Sequence, residues 1–179
     1  MESKILHRGR YLTFRIDTVE RGDGTRGTRE IAGHPGAVAI LAIDAEDQVL
    51  LVRQFRVAVG ELLVEIPAGT LDVGDDGTVE DPDLAARREL EEETGMRAGS
   101  WRKIARFYTA PGFASELMHL YLATDLAAAS GERLGPDDDE HLLLERMPAG
   151  AAVAAAERGE FADAKSLVAL LWLGRQRAG

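Results

Sequence analysis

The chain has 179 residues, 45% of them hydrophobic and 29% charged, which suits one domain that buries roughly 70% of its unfolded surface. A formal net charge of −10 disfavours nucleic-acid or anionic-membrane partners, and the lack of cysteine excludes disulfides and cysteine nucleophiles. The first ten residues contain no apolar signal segment, and the apolar run LVALLWL near the end is too short to span a bilayer. We therefore predict a cytoplasmic protein.

The first part of the chain is predicted to be β-structure. Strand patterns occur at 12–16, 37–43, 48–52 and 61–69. In the first, Leu12, Phe14 and Ile16 alternate with polar residues, which is typical of a half-buried strand. The second and third, AVAILAI and QVLLV, are separated by the turn-prone DAED and predict a buried hairpin.

A 13-residue helix is predicted between Asp81 and Gly95. Asp81 suits the N-cap, Pro82 the first helical position, and Gly95 the left-handed residue at the end. Two further strands are predicted at 102–110 and 117–126, joined by PGFASE, and two further helices within 147–161 and 163–177. This order predicts an α/β fold in which a mixed sheet lies between helices.

The predicted helix carries an unusual group of acids. Glu89, Glu92 and Glu93 fall within about 100° of one another on the helix, and Glu91 points the opposite way. Each like-charged pair costs roughly 0.2–0.5 kcal/mol, and the helix dipole adds a similar penalty. A hard divalent cation such as Mg²⁺ resolves the conflict. The alternative is a solvated helix face.

The spacing of residues 74–96, GDDGTVEDPDLAARRELEEETGM, resembles the Nudix box in every specified position. The resemblance implies a Nudix-type α/β/α sandwich that binds Mg²⁺ or Mn²⁺ and hydrolyses a nucleoside diphosphate linked to another moiety. It also implies that Glu89 and Glu93 are metal ligands and that Glu92 is a ligand or supports one. Arg88 would orient a neighbouring glutamate, and Glu80 would brace the loop against the helix.

The segments that flank the box resemble the ADP-ribose pyrophosphatase branch of this family. These segments are VRQFR (52–56), EIPAG (65–69), Pro111 and the C-terminal ADAKSLVALLWL. The resemblance implies a homodimer that splits ADP-ribose into AMP and ribose 5-phosphate. Two alternatives stay open: a hydrolase of another nucleoside diphosphate sugar such as GDP-mannose, and a non-catalytic Nudix module that senses a nucleotide.

Six further site residues follow from this resemblance. Ala68 would bind metal through its main-chain carbonyl, Glu116 would hold substrate or the attacking water, and Glu140 would act as base or extra ligand. Arg56 would contact the diphosphate, Arg29 would meet phosphate or ribose, and Tyr11 would stack on adenine, the last two across the dimer interface. For each of them an ordinary structural or solvated role is the alternative.

The chain is divided into an N-terminal strand region, 1–36, exchanged in a dimer, and a Nudix domain, 37–179. One departure from the branch concerns the glycine of EIPAG, Gly69, which usually opens the box. Here the spacing holds only from Gly74, so we infer a five-residue insertion in the loop 70–79. The four histidines share no ligand spacing and are interpreted as structural or exposed.

Overall fold

The computed structural model describes residues 2–129 and 142–179. The strands are β1 (Glu2–Arg8), β2 (Thr13–Glu20), β3 (Arg26–Gly33), β4 (Ala37–Ala42), β5 (Gln48–Arg56), β6 (Glu61–Glu65), β7 (Ala68–Thr70), β8 (Met96–Tyr108), β9 (Leu117–Ala128) and β10 (Leu143–Pro148). The helices are α1 (Pro82–Thr94), α2 (Ala149–Glu157) and α3 (Ala164–Ala178).

The described strands form three sheets. The largest has the order β7-β4-β9-β8, in which β4 and β9 are parallel and the other pairs are antiparallel. A second sheet has the order β10-β5-β6, and a third, N-terminal sheet has the order β1-β2-β3.

The core lies on both faces of strand β4. Leu41 and its neighbours at alternate positions join a hydrophobic cluster with α2 and α3, whereas Val38 and Ile40 join a second cluster with α1. Every residue of β4 is buried, and full burial of each large aliphatic side chain contributes about 1.5–3 kcal/mol. The predicted α/β/α sandwich with a mixed sheet is confirmed.

Two of the predicted strand arrangements are wrong. Segments 37–43 and 48–52 do not form a hairpin, since β4 and β5 belong to different sheets and only Ile43 and Val49 bridge them. A strand that is apolar on both faces carries no sequence signal for which strands pair with it. Here β4 pairs with β7 and β9. Segment 61–69 is two strands rather than one. The chain changes sheets at Pro67, whose carbonyl accepts a hydrogen bond from the Ile40 amide at 2.8 Å.

The N-terminal sheet also differs from expectation. Leu12 and Phe14, predicted to face inwards, are 49% and 43% exposed. The buried residue of β2 is Asp17, which accepts hydrogen bonds from Ser3 at 2.6 Å and Arg15 at 3.1 Å. Alternation predicted the strand correctly but not which face is covered. Within the described residues, no helix is long and apolar enough to cross a membrane.

Candidate active site

Helix α1 begins and ends at the residues that the sequence predicts. The Asp81 side chain accepts a hydrogen bond from the Asp83 amide at 2.7 Å, and Pro82 opens the helix. Gly95 closes it in the left-handed region, with a φ of 68°. Ala85, Ala86 and Leu90 pack into the core against β4, which sets the rotation of the helix so that Glu89 and Glu93 face strand β7.

Strand β7 leaves room for these two carboxylates. A Cβ atom at Gly69 would lie 1.9 Å from Glu89 Oε1, so only glycine fits there without displacing Glu89. The Ala68 amide donates to Glu93 Oε2 at 3.0 Å. Glu89 and Glu93 are only 8% and 6% exposed. Three predicted metal ligands, the two glutamates and the main chain of Ala68, are therefore adjacent.

Arg88 gathers the remaining acids of the box. Its Nη1 donates to Glu89 Oε1 and to Glu92 Oε2, both at 2.8 Å, and its Nη2 donates to Glu80 Oε2 at 2.9 Å. The hydrogen bonds that Arg88 donates to Glu80, together with the charges of Glu89 and Glu92, raise the pKa of Arg88 above its ordinary value, although burial opposes this. The fork of the guanidinium thus links the loop to the acidic face of the helix.

The loop before α1 closes on itself. Val73 and Val79 form a bridge, and the Gly74 amide donates to the Thr78 carbonyl at 2.9 Å. At its base, the Glu80 amide donates to the Asp72 carbonyl at 2.8 Å. Glu80 is therefore held beside Arg88 regardless of the path of the loop tip. The inferred five-residue insertion falls in this loop and stays a prediction.

The donor set fits a hard divalent cation, because it consists of carboxylates and a main-chain carbonyl. Across residues 2–129 and 142–179, no three His, Asp or Glu side chains are already gathered around one point. Arg88 engages one oxygen each of Glu89 and Glu92, and the Ala68 amide engages one oxygen of Glu93. These contacts fix the positions of the three carboxylates on the face of α1 that lies against β7 and Arg88.

Arg56 belongs to a mostly buried ionic network that joins the ends of β5 and β6 to the start of α3. It donates to Glu65 through Nε at 3.1 Å, and Lys165 Nζ lies 2.8 Å from the same carboxylate and 3.0 Å from Asp163. Burial opposes the charged form of Glu65, but the bonds from Arg56 and Lys165 lower its pKa. Burial likewise opposes the charge on Arg56, whereas Glu65 and, more weakly, Glu93 raise its pKa. Arg56 is therefore coupled by charge to Glu93, one of the predicted metal ligands.

Glu116 has two neighbours that the sequence analysis did not connect with it. The Thr109 hydroxyl donates to Glu116 Oε2, and His34 Nε2 lies 3.7 Å from Glu116 Oε1. His34 was interpreted only as structural or exposed, and its side chain is 12% exposed. No local pattern indicates this approach, because it depends on a bridge between Ala32 and Ala114.

The other predicted substrate residues are spread out. Tyr11 lines a groove of about 490 Å³ together with Arg10, His34 and Ser115, and the Arg10 guanidinium lies 4.8 Å from the centre of the Tyr11 ring. Arg29 lies on the exposed side of β3, where it donates to the Thr28 carbonyl at 2.8 Å, and it does not line this groove. The predicted Glu140 lies outside the described residues.

Together, the helix with its acidic face, the glycine of β7 and the two helical layers define an α/β/α domain whose oxygen donors could hold a divalent cation. A model of the NUDIX domain matches residues 33–170. The chain belongs to the Nudix family, and the resemblance found in the box is confirmed.

Relatives with known names support this assignment. The chain is 39% identical to the ADP-ribose pyrophosphatase of Bacillus subtilis (strain 168), over 95% of this chain and 89% of the relative. It is 36% identical to the GDP-mannose pyrophosphatase of Cronobacter sakazakii, over 90% and 84% of the two chains. A crystal structure of an ADP compounds hydrolase superposes with a TM-score of 0.81 at 26% identity, covering 98% of this chain and 91% of the other.

Proposed function

We propose that the protein is a Nudix pyrophosphatase that hydrolyses ADP-ribose to AMP and ribose 5-phosphate with Mg²⁺ or Mn²⁺. The observation that carries the proposal is the acidic face of α1, where Glu89 and Glu93 lie against Ala68 and Gly69 of β7. Nudix hydrolases generally use divalent cations. The identity of 39% to an ADP-ribose pyrophosphatase supports the choice of substrate.

The residues of the acidic face have different roles in the proposed reaction. Glu89, Glu93 and the Ala68 carbonyl would hold the cation, with Glu92 as a further or supporting ligand. When bound, a divalent cation neutralises charge on the diphosphate and activates water. Arg88 orients Glu89 and Glu92 through its shared Nη1.

The substrate is contacted by residues around the acidic face. Arg56 presents a planar fork of donors suited to a diphosphate, and Glu116 holds substrate or the attacking water. Tyr11 stacks on adenine from across the dimer interface. Arg29 reaches phosphate or ribose from the partner subunit, and Glu140 serves as base or extra ligand.

Hydrolysis of GDP-mannose is the second candidate, favoured by the identity of 36% to a GDP-mannose pyrophosphatase. A non-catalytic sensor is a weaker candidate, because Glu89, Glu92 and Glu93 are all present. We further propose that the protein acts in the cytoplasm. We also propose that it forms a homodimer, because apolar side chains on its N-terminal sheet are exposed in the single chain. In that dimer the region 1–36 is exchanged between subunits.

One experiment tests substrate and site together. The purified protein is incubated with ADP-ribose, GDP-mannose or a dinucleotide, with Mg²⁺ or Mn²⁺, and the products are identified. We expect AMP from ADP-ribose, and a loss of at least about 100-fold in kcat, roughly 2.7 kcal/mol, for Glu93→Gln with nucleotide binding retained.

Glu91→Gln is the matched control, since Glu91 lies on the same helix but binds Arg97 at 2.7 Å on another side. It should keep nearly the full rate. If GDP-mannose is the only compound cleaved, ADP-ribose is not the substrate. If Glu93→Gln hydrolyses the substrate at the wild-type rate, the acidic face of α1 does not take part in the reaction.

A further inference from the structure

Two distant segments are joined beside Glu116. The Ala32 amide donates to the Phe113 carbonyl at 2.8 Å, and the Ser115 amide donates to the Ala32 carbonyl at 3.0 Å. The His34 amide donates to Ser115 Oγ at 2.9 Å. These bonds hold the backbone of His34 next to the segment that carries Glu116, so the approach of the two side chains is imposed by the fold.

The imidazole of His34 has a defined tautomer. The Gly36 amide donates to His34 Nδ1 at 3.0 Å. An amide N–H can only donate, so Nδ1 is an acceptor and the proton of the neutral ring lies on Nε2. Burial lowers the pKa of His34, although Glu116 opposes the shift, which favours the neutral ring near pH 7.

The Glu116 carboxylate therefore has a neutral donor on each side. The Thr109 hydroxyl donates to Oε2, and the Nε2–H of His34 lies beside Oε1. The separation of 3.7 Å between Nε2 and Oε1 exceeds a hydrogen bond, but such contacts often tighten when substrate binds. A cation at this place would neutralise Glu116, whereas a neutral donor orients the carboxylate and leaves its charge available.

We propose that His34 is a positioning residue which, together with Thr109, aims the Glu116 carboxylate at the substrate beside the groove that His34 and Ser115 line. The inference rests on the proposed function, in which Glu116 holds substrate or the attacking water. It adds a specific atom, Nε2 of His34, to the residues that serve the reaction.

Two substitutions separate this role from a purely structural one. His34→Asn places an amide oxygen near the position of Nδ1 and keeps the acceptor for the Gly36 amide, but it loses the donor to Glu116. His34→Gln places an amide nitrogen near the position of Nε2 and keeps the donor, but it loses the acceptor. If His34 only accepts the hydrogen bond from the Gly36 amide, asparagine should preserve activity better than glutamine. If His34 positions Glu116, glutamine should preserve activity better than asparagine.

Steady-state hydrolysis of the preferred diphosphate is measured for both variants, with thermal unfolding as a check of folding. We expect His34→Asn to lower kcat by about tenfold or more with a smaller change in KM, and His34→Gln to stay within about threefold of wild type. In a Glu116→Gln background, His34→Asn should have little further effect, because coupled residues do not add.

Equal losses in the two variants, wild-type kcat in His34→Asn, or additive losses in the Glu116→Gln background would overturn the inference while leaving the proposed function intact. A wild-type protein that cleaves none of the diphosphates would overturn the proposed function itself, and the role of His34 with it.

Discussion

At the scale of single residues, the candidate site depends on the absence of a Cβ atom at Gly69. Glu89 occupies the space where a Cβ would lie, and Arg88 holds the same carboxylate at 2.8 Å. Because the φ of Gly69 is not in the left-handed region, the glycine at this point of β7 makes room for the carboxylate of Glu89, a predicted metal ligand, rather than forming a turn.

Gly69→Ala should displace Glu89 and reduce activity more than stability, because the end of a side chain moves more readily than the backbone. We expect kcat/KM to fall by about tenfold or more, roughly 1.4 kcal/mol, with a change of under about 1 kcal/mol in the free energy of unfolding. Enzyme kinetics and urea titration measure the two effects. Gly22→Ala is the control, since a Cβ there meets nothing within 4 Å; equal kinetics in both variants would contradict the assignment.

The sequence predicts the residues on one helix better than their partners across the fold. Glu89, Glu92 and Glu93 are placed on one face by the helical period, and Asp81 and Gly95 mark the ends of that helix. The contact of His34 with Glu116 has no such signal, because it arises when segments distant in the chain pair. Such pairing depends on the whole topology and not on any local period.

At the scale of elements, ion pairs and a hydrogen bond attach helix α3 to the end of β6 and to the residues that connect it to β7. Lys165 is 7% exposed and lies between Glu65 and Asp163, and Ser166 Oγ accepts a hydrogen bond from the Ile66 amide at 2.9 Å. The connection leads directly into Ala68, the first residue of β7, so the ionic network helps to fix both the C-terminal helix and one side of the candidate site.

Lys165→Met should lower the free energy of unfolding by about 3 kcal/mol at pH 7, because it leaves a buried carboxylate with fewer partners. The pKa of Glu65 is lowered in the folded state from an ordinary value of 4.5. Its contribution is therefore complete above pH 4.5 and declines as the pH falls through the lowered value. The gap between wild type and variant should narrow over the same range.

Denaturant titrations from pH 7 to pH 3 measure this gap. Lys103→Met is the matched control, because the ion pair of Lys103 with Asp83 has a lysine side chain that is 68% exposed, and such pairs contribute under about 1 kcal/mol. A Lys165→Met variant as stable as Lys103→Met, or a gap that widens in acid, would contradict the account.

The helices were predicted more fully than the sheets. Caps and periodicity gave α1 its bounds, and Asp163 caps α3 as expected, accepting from the Ser166 amide at 3.0 Å. The strands β1, β3 and β10 were not predicted, and the hairpin of β4 with β5 was wrong. A strand pattern shows that a segment is extended, but its partners are chosen by tertiary packing.

At the scale of the whole molecule, the N-terminal sheet carries apolar side chains on its surface. Ile5, Leu6, Leu12 and Phe14 are between 43% and 49% exposed, although an alternating pattern predicts that part of this sheet is covered. Several exposed apolar side chains in and beside one small sheet suit an interaction surface, and a second copy of the chain is the partner in the proposed homodimer.

Light scattering should give the mass of two chains for the wild-type protein at micromolar concentration, and the mass of one chain after Leu6→Asp combined with Phe14→Asp. Charges introduced into a buried interface are strongly unfavourable. Leu171→Asp on α3 is the control, because Leu171 is 47% exposed on a different element. A monomeric wild type would contradict the dimer.

The self-closing loop before α1 has an evolutionary consequence. Because Asp72 and Glu80 meet at its base, residues can be added or removed at the tip without moving the glutamate that anchors Arg88. Loop length and sequence can thus diversify among descendants of one ancestor while the chemical machinery is inherited unchanged. Because Val73 of this loop also lines the groove beside His34, such changes can reshape the groove without disturbing the acidic helix.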